Sequence, residues 1–258
     1  MARQSKRVAN SFRVRFVSRE RRRVPTAPGT EPELVYPGPH NGRAMTVVAF
    51  DFDGTLSDSE MTVLLGRQCG VADEMAEITE RSMNDEIEYA ESLRRRAALL
   101  EGLDEEAVAA AFAEVELREG AGALIESLND AGVTTAILTG GFERGVEAAL
   151  EREGVTVDHI VSNRLPMVDG RLTGDVEGSL IEGTKDTALE DLATHVGAEL
   201  EETVAVGDGA NDLPMLRVAG LSIGFDPKPA VEPHCEVVVD SMAEVRDTLL
   251  AEGVLDRE

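Results

Sequence analysis

The sequence predicts an α/β fold, in which helices cover both faces of a doubly wound, mostly parallel sheet that carries a small inserted helical cap and a β-hairpin. Three observations support this prediction. Strand-like apolar runs alternate with helical patterns through the second half of the chain, which is typical of a parallel sheet. Residues 58–118 show only helical spacing. The pair Asp169-Gly170, a combination favoured in two-residue hairpins, separates two short strand-like segments.

The first part of the fold begins with one strand and continues into helices. An apolar run predicts the first strand at 46–51, and a helix is expected near 58–69. Apolar side chains three and four positions apart continue the helical pattern through 72–81, 85–100 and 104–117, as in Leu93, Ala97 and Leu100. We therefore assign 58–118 to the cap, and 45–57 together with 119–258 to the core domain.

The remaining elements alternate between helix and strand. The predicted helices span 120–131, 142–153, 184–196, 211–219 and 241–252. The predicted strands span 133–138, 157–161, 203–206, 221–225 and 236–239, and the two hairpin strands span 164–168 and 171–176. The part of the chain after residue 44 is long enough for one such domain with a substantial core.

Charge divides the chain into two parts. Residues 1–44 contain ten Lys or Arg and three Glu, a net charge of +7; because the whole chain carries −25, residues 45–258 carry −32. Only two lysines, Lys185 and Lys228, follow residue 44. We interpret this acidic excess as adaptation to a cytoplasm of very high salt, where charge repulsion is screened within ~3 Å at 1 M. The alternative is an acidic protein of an ordinary cytoplasm.

The amino-terminal extension, residues 1–44, has a composition that rarely packs a core. It is basic, with many arginines, and then rich in Pro and Gly from Pro25 to Gly42. We predict that it is disordered. The functional alternative is an arm that binds nucleic acid or another anionic surface, and a start codon chosen upstream of Met45 would also explain it. No catalytic role is expected for the extension, and no nucleic-acid partner for the core.

Cysteine usage and hydropathy favour a soluble intracellular protein. Cys69 and Cys235 are single and far apart, so we interpret them as reduced, semi-buried thiols rather than as a disulfide. No apolar run approaches the ~18 residues that a membrane span needs, and the amino terminus lacks the apolar segment of a secretion signal. We expect a cytoplasmic protein without a membrane partner, while its oligomeric state stays unknown.

Two carboxylates lie two residues apart where the first strand should end. Asp51-Phe-Asp53 follows the apolar run 47–50, and Gly54 indicates that the chain turns there. Such a turn lets one carboxylate and one backbone carbonyl bind a hard cation while the other carboxylate stays free, an arrangement suited to phosphoryl transfer. By itself, the motif is also typical of a loop or of a structural calcium turn.

Further polar groups follow later strands. Gly207-Asp208-Gly209-Ala210-Asn211-Asp212 follows the apolar run 203–206, and Thr139-Gly140-Gly141 follows another strand. Because open α/β sheets bind ligands outside the carboxyl ends of their strands, we expect these groups to meet in one crevice. Lys185 begins a predicted helix. In a chain that uses arginine nearly everywhere a cation is needed, this compact point charge favours a contact with both a carboxylate and a phosphoryl oxygen.

These four features follow one another along the chain as the acidic pair at Asp51, Thr139-Gly140-Gly141, Lys185 and the motif from Gly207 to Asp212. In this chain order they resemble the motifs of the haloacid dehalogenase-like phosphatases, and within that superfamily those of the phosphoserine phosphatase family. The resemblance covers residues 45–258. It extends to Glu60, which lies nine residues after Asp51, to the cap segment 89–96, and to the segment 171–177.

The chain departs from this family's pattern at three positions. The family often has Ser where Gly54 and Thr139 stand, and Phe where Tyr89 stands. Thr139 keeps the hydroxyl group. The additional hydroxyl of Tyr89 could change how the pocket seats its substrate.

The resemblance implies a Rossmann-like catalytic core and a Mg²⁺-dependent phosphomonoester hydrolase that works through an aspartyl-phosphate. Asp51 is expected to attack phosphorus and Asp53 to act as acid and base. The expected Mg²⁺ ligands are the carboxylates of Asp51 and Asp208 and the backbone carbonyl of Asp53, with Asp212 orienting metal-bound waters. The residues expected to hold the phosphoryl group are Thr139, Gly140, Lys185 and Asn211.

The implied substrate is O-phospho-L-serine, hydrolysed to L-serine and phosphate in the last step of serine biosynthesis. Its ammonium and carboxylate require one anion and one cation, for which Glu60 and Arg96 are the candidates, with Arg94 as the alternative to Arg96. Two other functions stay open. One is a related phosphatase or phosphotransferase on another small phosphorylated metabolite, and the other is a noncatalytic phosphate-binding regulatory module. The expected partner is a small phosphate ester.

Overall fold

The computed structural model describes residues 15–16, 47–83 and 86–256, so the predictions for the rest of the amino-terminal extension lie outside the described residues. The strands are β1 (Arg15–Phe16), β2 (Val47–Phe50), β3 (Thr134–Phe142), β4 (His159–Arg164), β5 (Met167–Val168), β6 (Arg171–Leu172), β7 (Glu177–Gly178), β8 (Thr203–Gly207), β9 (Leu221–Phe225) and β10 (Val237–Val239). The helices are α1 (Met61–Cys69), α2 (Ala72–Met83), α3 (Tyr89–Ala98), α4 (Glu105–Phe112), α5 (Ala121–Asp130), α6 (Glu143–Glu153), α7 (Lys185–Val196), α8 (Leu213–Val218) and α9 (Met242–Ala251).

The main sheet has the strand order β1-β4-β3-β2-β8-β9-β10, and β7 pairs with β4 beside this path. The pairs that run from β4 to β10 are all parallel, whereas β1 and β7 pair with β4 in the antiparallel direction. The mostly parallel α/β sheet predicted from the sequence is therefore confirmed. Because β2 lies between β3 and β8, the carboxyl ends of these three strands meet at one edge.

The central strand β2 is buried on both faces. Its side chains alternate: Val48 and Phe50 belong to one hydrophobic cluster, with side chains from α5, α6 and α9, whereas Val47 and Ala49 belong to a second cluster with side chains from α7 and α8. Successive side chains of a strand point to opposite faces, so an uninterrupted apolar run needs helices on both sides. These two layers of helices hold the strand ends in place.

The helices α1–α4 lie between β2 and α5, where the sequence predicts the cap. Their buried side chains, such as Met61 and Leu93, belong to the same hydrophobic cluster as one face of the sheet. The two chain connections run side by side, because Ser57 forms a bridge with Leu117 and the Ser57 hydroxyl donates to the Glu116 carbonyl at 2.6 Å. The division of the chain at residues 58 and 118 remains a prediction.

Some β-elements differ from their predicted bounds. The turn at Asp169-Gly170 is present, with positive φ at both residues, but β5 and β6 contribute only two residues each. The predicted hairpin strand 164–168 is too long, because Arg164 belongs to β4 and pairs with β7. The predicted strand 133–138 is too short, since β3 continues to Phe142, which pairs with Asn163 after a shift in register.

The cysteines and the helices bear on two other predictions. Cys69 and Cys235 are both free thiols, as predicted. Cys235 is half-buried, but the semi-buried prediction is wrong for Cys69, which is exposed because it lies at the carboxyl end of α1, next to Gly70. In the described part of the chain, no helix combines the length and the apolar character that crossing a bilayer requires.

Candidate active site

Three carboxylates meet where the neighbouring strands β2 and β8 end. Asp51 follows β2 directly, and its backbone N–H donates to the Val206 carbonyl at 2.9 Å, which fixes the strand ends to each other. Asp208 follows β8, and Asp212 ends the short 3₁₀ helix after it. One oxygen of each of the carboxylates of Asp51, Asp208 and Asp212 lies within 4.8 Å of the others. The crevice expected from the strand order is thus present.

Lys185 provides a buried positive charge for two of these carboxylates. It is the first residue of α7, and only 3% of its surface is exposed. Its Nζ contacts Oδ1 of Asp51 and donates to Oδ1 of Asp212 at 2.5 Å. Burial alone lowers a lysine pKa, but the carboxylates of Asp212 and Asp51 outweigh it, so the pKa of Lys185 is raised and the ammonium stays charged.

Asp212 is the anchor of the second acidic motif. It is fully buried, and its Oδ2 accepts hydrogen bonds from the backbone N–H groups of Asp208, at 3.0 Å, and of Gly209, at 2.8 Å. Its other oxygen holds Lys185. This side chain therefore fixes the turn after β8 relative to α7, and with it the position of Asp208.

Asp51 and Asp53 have different surroundings, although they are two residues apart. Burial, and then the charge of Asp212, raise the pKa of Asp51 to about 7, against the opposing effect of Lys185. The pKa of Asp53 is raised well above its usual range, first by burial and then by the charges of Glu60 and Asp51. Oδ1 of Asp53 is buried and has no hydrogen-bond partner among the described residues. The carboxyl group of Asp53 can therefore stay protonated beside the carboxyl group of Asp51.

The end of β3 forms the wall opposite the acidic motif. Thr139 is buried, and its Oγ1 accepts a hydrogen bond from the Gly141 N–H at 2.9 Å. A Cβ atom on Gly141 would lie 2.5 Å from Oδ2 of Asp53, so only glycine allows this approach. Gly140 is half-exposed, and its carbonyl accepts from the Asn163 amide at 2.9 Å. Thr139 and Gly140 are thus held beside Asp53.

Gly54 has a comparable steric role on the other side of the cleft. Its φ is +95°, and a Cβ atom there would lie 2.7 Å from Oδ1 of Asp208. Glycine both accepts this backbone conformation and leaves room for the carboxylate of Asp208.

The helices between β2 and α5 contribute Glu60 and Arg96. Glu60 is the N-cap residue of α1, and partial burial raises its pKa, while the nearby charges of Lys228 and Arg96 lower it. Arg96 is half-buried, and its guanidinium donates to Oγ1 of Thr62 at 3.3 Å. Arg94 is exposed instead and pairs with Glu182. Of the two arginines, Arg96 is the one that lies beside the cleft.

Two further residues lie at the rim of the cleft. Asn211 is exposed and precedes Asp212 in the same 3₁₀ helix. Lys228 is a residue that the sequence analysis does not place in the site: its Nζ lies 3.1 Å from Oδ2 of Asp208, and its backbone N–H donates to the Asp208 carbonyl at 3.0 Å. Lysine is scarce after residue 44, and this scarcity indicated Lys185. The same signal could have indicated Lys228.

This fold and this site define a hydrolase class. The family model of the haloacid dehalogenase-like hydrolases matches residues 48–217. The chain belongs to the haloacid dehalogenase-like hydrolase family.

Among curated proteins, the chain is similar to phosphoserine phosphatases. It is 53% identical over 210 residues to the one of Halobacterium salinarum, which covers 81% of this chain and 100% of that protein. It is 39% identical over 195 residues to the one of Methanocaldococcus jannaschii, covering 75% of this chain and 92% of that protein. The resemblance identified from the sequence motifs is thereby confirmed.

Solved structures give the same result. A substrate-bound phosphoserine phosphatase complex superimposes with a TM-score of 0.74 at 36% identity, covering 80% of this chain and 99% of that one. A phospho-aspartyl intermediate analogue of a phosphoserine phosphatase has a TM-score of 0.73 at 37% identity, with the same coverage of both chains. The predicted fold class is confirmed by these neighbours.

Proposed function

We propose that the protein hydrolyses O-phospho-L-serine to L-serine and phosphate through a phosphorylated Asp51. The observation that carries this proposal is the meeting of Asp51, Asp208, Asp212 and Lys185 at the ends of β2 and β8. The curated relatives and the solved structures support the choice of substrate. The carboxylate oxygens can bind a metal cation, and the ammonium group of Lys185 is fixed beside them. Such an arrangement suits the transfer of a phosphoryl group.

The residues present fit a Mg²⁺ ion. Carboxylate and carbonyl oxygens are the ligands that this hard cation takes, and the oxygens of the acidic cluster are close enough together to share one ion. We assign the carboxylates of Asp51 and Asp208 and the backbone carbonyl of Asp53 as ligands, with Asp212 orienting metal-bound waters. When bound, the ion offsets the repulsion between a carboxylate nucleophile and a phosphate dianion.

Asp51 and Asp53 divide the covalent chemistry between them. The Asp51 carboxylate attacks phosphorus in line, and the bond between phosphorus and the serine oxygen breaks. Asp53 gives its proton to this oxygen and later takes a proton from the water that attacks the aspartyl-phosphate, which releases phosphate and regenerates Asp51. The raised pKa of Asp53 is consistent with a group that starts this cycle protonated.

Other residues hold the transferred group and the rest of the substrate. We assign Thr139, the Gly140 N–H, Lys185 and Asn211 to the phosphoryl oxygens. Glu60 and Arg96, which lie on the cap side of the cleft, are assigned to the ammonium and the carboxylate of phosphoserine.

A panel of phosphate monoesters tests this function. The protein is assayed with Mg²⁺ in molar KCl on O-phospho-L-serine, sugar phosphates and nucleotide monophosphates. Selective turnover of O-phospho-L-serine is expected, because only this substrate places charges opposite both Glu60 and Arg96. Equal rates across the panel would contradict the assignment of the substrate, and no turnover of any ester would contradict the proposed reaction.

A further inference from the structure

The hydroxyl group of Tyr89 lies in the cleft, at the end of β3. Tyr89 is the first residue of α3 in the cap, yet a Cβ atom placed on Gly140 of the core would be 2.1 Å from the phenolic oxygen. The side chain thus reaches across from the cap and lies directly on Gly140. An O–H group therefore lies beside the residue assigned to the phosphoryl group.

The charges around the phenol are those of the active site. Burial of its hydroxyl end raises the pKa of Tyr89; Arg96 and Lys185 oppose this shift, and Asp51 and Asp53 add to it. The phenol therefore remains protonated at neutral pH and is available as a donor. The residue as a whole is 37% exposed, which places it at the wall of an open cleft rather than in the sealed core.

We propose that the Tyr89 hydroxyl donates a hydrogen bond to a non-bridging phosphoryl oxygen of the bound substrate. This proposal rests on the proposed function. The phosphoryl group is favoured over the substrate carboxylate because the hydroxyl lies on Gly140, whose N–H is assigned to the phosphoryl oxygens, whereas Arg96 is assigned to the carboxylate. A phenylalanine at this position would keep the aromatic face and lose this donor.

Binding of the two products separates the phosphoryl group from the carboxylate. The affinities of inorganic phosphate and of L-serine are measured by calorimetry for the full chain and for Tyr89→Phe, with Mg²⁺ in molar KCl. The dissociation constant of phosphate is expected to rise about tenfold in the variant, the loss typical of one hydrogen bond to a charged group. The affinity of L-serine and the thermal midpoint should stay the same, and Tyr36→Phe, which changes the other tyrosine, is the matched control.

The fluorescence of the protein gives a second, independent measurement. The chain has no tryptophan and two tyrosines, so the emission of Tyr36→Phe comes from Tyr89 alone. Adding inorganic phosphate should change this emission with the same dissociation constant that calorimetry gives, whereas L-serine should not.

Each outcome decides the proposal. Unchanged phosphate affinity in Tyr89→Phe, in a protein that hydrolyses O-phospho-L-serine, would overturn it and leave the proposed function intact. Weaker binding of L-serine with unchanged binding of phosphate would assign the hydroxyl to the carboxylate and also overturn it. If the full chain neither binds phosphate nor hydrolyses the ester, both the proposal and the proposed function fail.

Discussion

Asp51 is a buried carboxylate whose two charged neighbours have opposite effects. Lys185 stabilises its ionised form, whereas burial and Asp212 favour the protonated form, which cannot attack phosphorus. Because Lys185 is shared with Asp212, it does not fully compensate Asp51. A second positive charge at the cluster with Asp208 would favour the ionised nucleophile further.

Replacing the nucleophile tests its role directly. Asp51→Asn is expected to abolish both turnover and the phosphoenzyme, because the amide has no anionic oxygen to attack phosphorus. The measurement is acid-quenched trapping of label from radioactive O-phospho-L-serine, together with steady-state turnover. The control is Asp73→Asn, which changes an exposed carboxylate on α2 and should retain both signals. Normal turnover by Asp51→Asn would show that another residue is the nucleophile.

The role of Glu60 is tested by comparing two substrates. Glu60→Gln keeps the shape of the side chain and removes the charge that is assigned to the substrate ammonium. KM for O-phospho-L-serine should rise roughly tenfold, since a charged hydrogen bond is lost. KM for p-nitrophenyl phosphate, which has no ammonium group, should not change. A similar rise for both esters would remove Glu60 from substrate recognition.

At the scale of elements, the end of β8 is packed so tightly that it has no room for one additional carbon atom. A Cβ atom on Gly207 would lie 2.6 Å from Cβ and Cγ of Asp212, the side chain that holds both the following turn and Lys185. The φ of Gly207 is not in the left-handed region, so space, and not backbone strain, is the reason for glycine.

Gly207→Ala should therefore displace Asp212 and loosen the whole acidic motif. We expect a loss of about 1–3 kcal/mol in unfolding free energy, as is usual for overpacking, and a weaker affinity for Mg²⁺. Chemical denaturation and calorimetric titration measure the two effects. Gly122→Ala in α5 is the matched control: its nearest contact would be 3.4 Å, and alanine favours a helix over glycine by about 1 kcal/mol. Equal behaviour of the two variants would contradict the steric argument.

Parallel strands explain why much of the site could be predicted from the sequence. The carboxyl ends of neighbouring parallel strands meet at one edge, so apolar runs that end in Asp51 and Asp208 are enough to bring these residues together. The choice between Arg94 and Arg96 was not contained in the spacing, because Arg96 lies three positions after the buried Leu93 and Arg94 three positions before the buried Ala97. Only the contact of Arg94 with Glu182 separates them.

Other features depend on contacts that the local pattern does not contain. β3 continues through Gly140 and Gly141, two residues that weaken a strand, because Phe142 pairs with Asn163 of β4. Lys228 lies in the connection between β9 and β10, and its place in the site depends on the backbone hydrogen bond to Asp208. No periodic pattern predicts the path of such a connection, so only the scarcity of lysine could have indicated it.

At the scale of the whole molecule, the lysines of the strongly acidic part of the chain lie at the site. Residues 45–258 carry −32, and both of their lysines, Lys185 and Lys228, contact carboxylates of the acidic cluster. Exposed pairs such as Arg94 with Glu182 and Arg144 with Glu105 link the helices between β2 and α5 to the rest of the chain, but molar salt screens them strongly. Adaptation to high salt remains a prediction.

The metal-free protein is expected to become less stable as the pH rises through the range in which Asp51 ionises. Folding raises the pKa of Asp51 from 3.8 to about 7, so between these values the folded state holds a proton that the unfolded state has released. The resulting penalty is absent below pH 3.8, grows up to about pH 7 and is complete above it. Between pH 6 and pH 8, this group alone should lower the free energy of unfolding by about 1 kcal/mol.

Denaturant unfolding of the chelated protein at pH 6 and pH 8, in molar KCl, measures this change, and comparison with Asp51→Asn assigns it to Asp51 and to the effect of Asp51 on the pKa of Asp53. His159 acts in the opposite direction, because burial lowers its pKa and its contribution is lost as the pH falls. It is present in both proteins, so its effect cancels in the difference between them. For the metal-free protein, the free energy of unfolding of the full chain minus that of Asp51→Asn should decrease between pH 6 and pH 8. A difference independent of pH would show that Lys185 already compensates Asp51 fully, and that the nucleophile stays ionised without a metal ion.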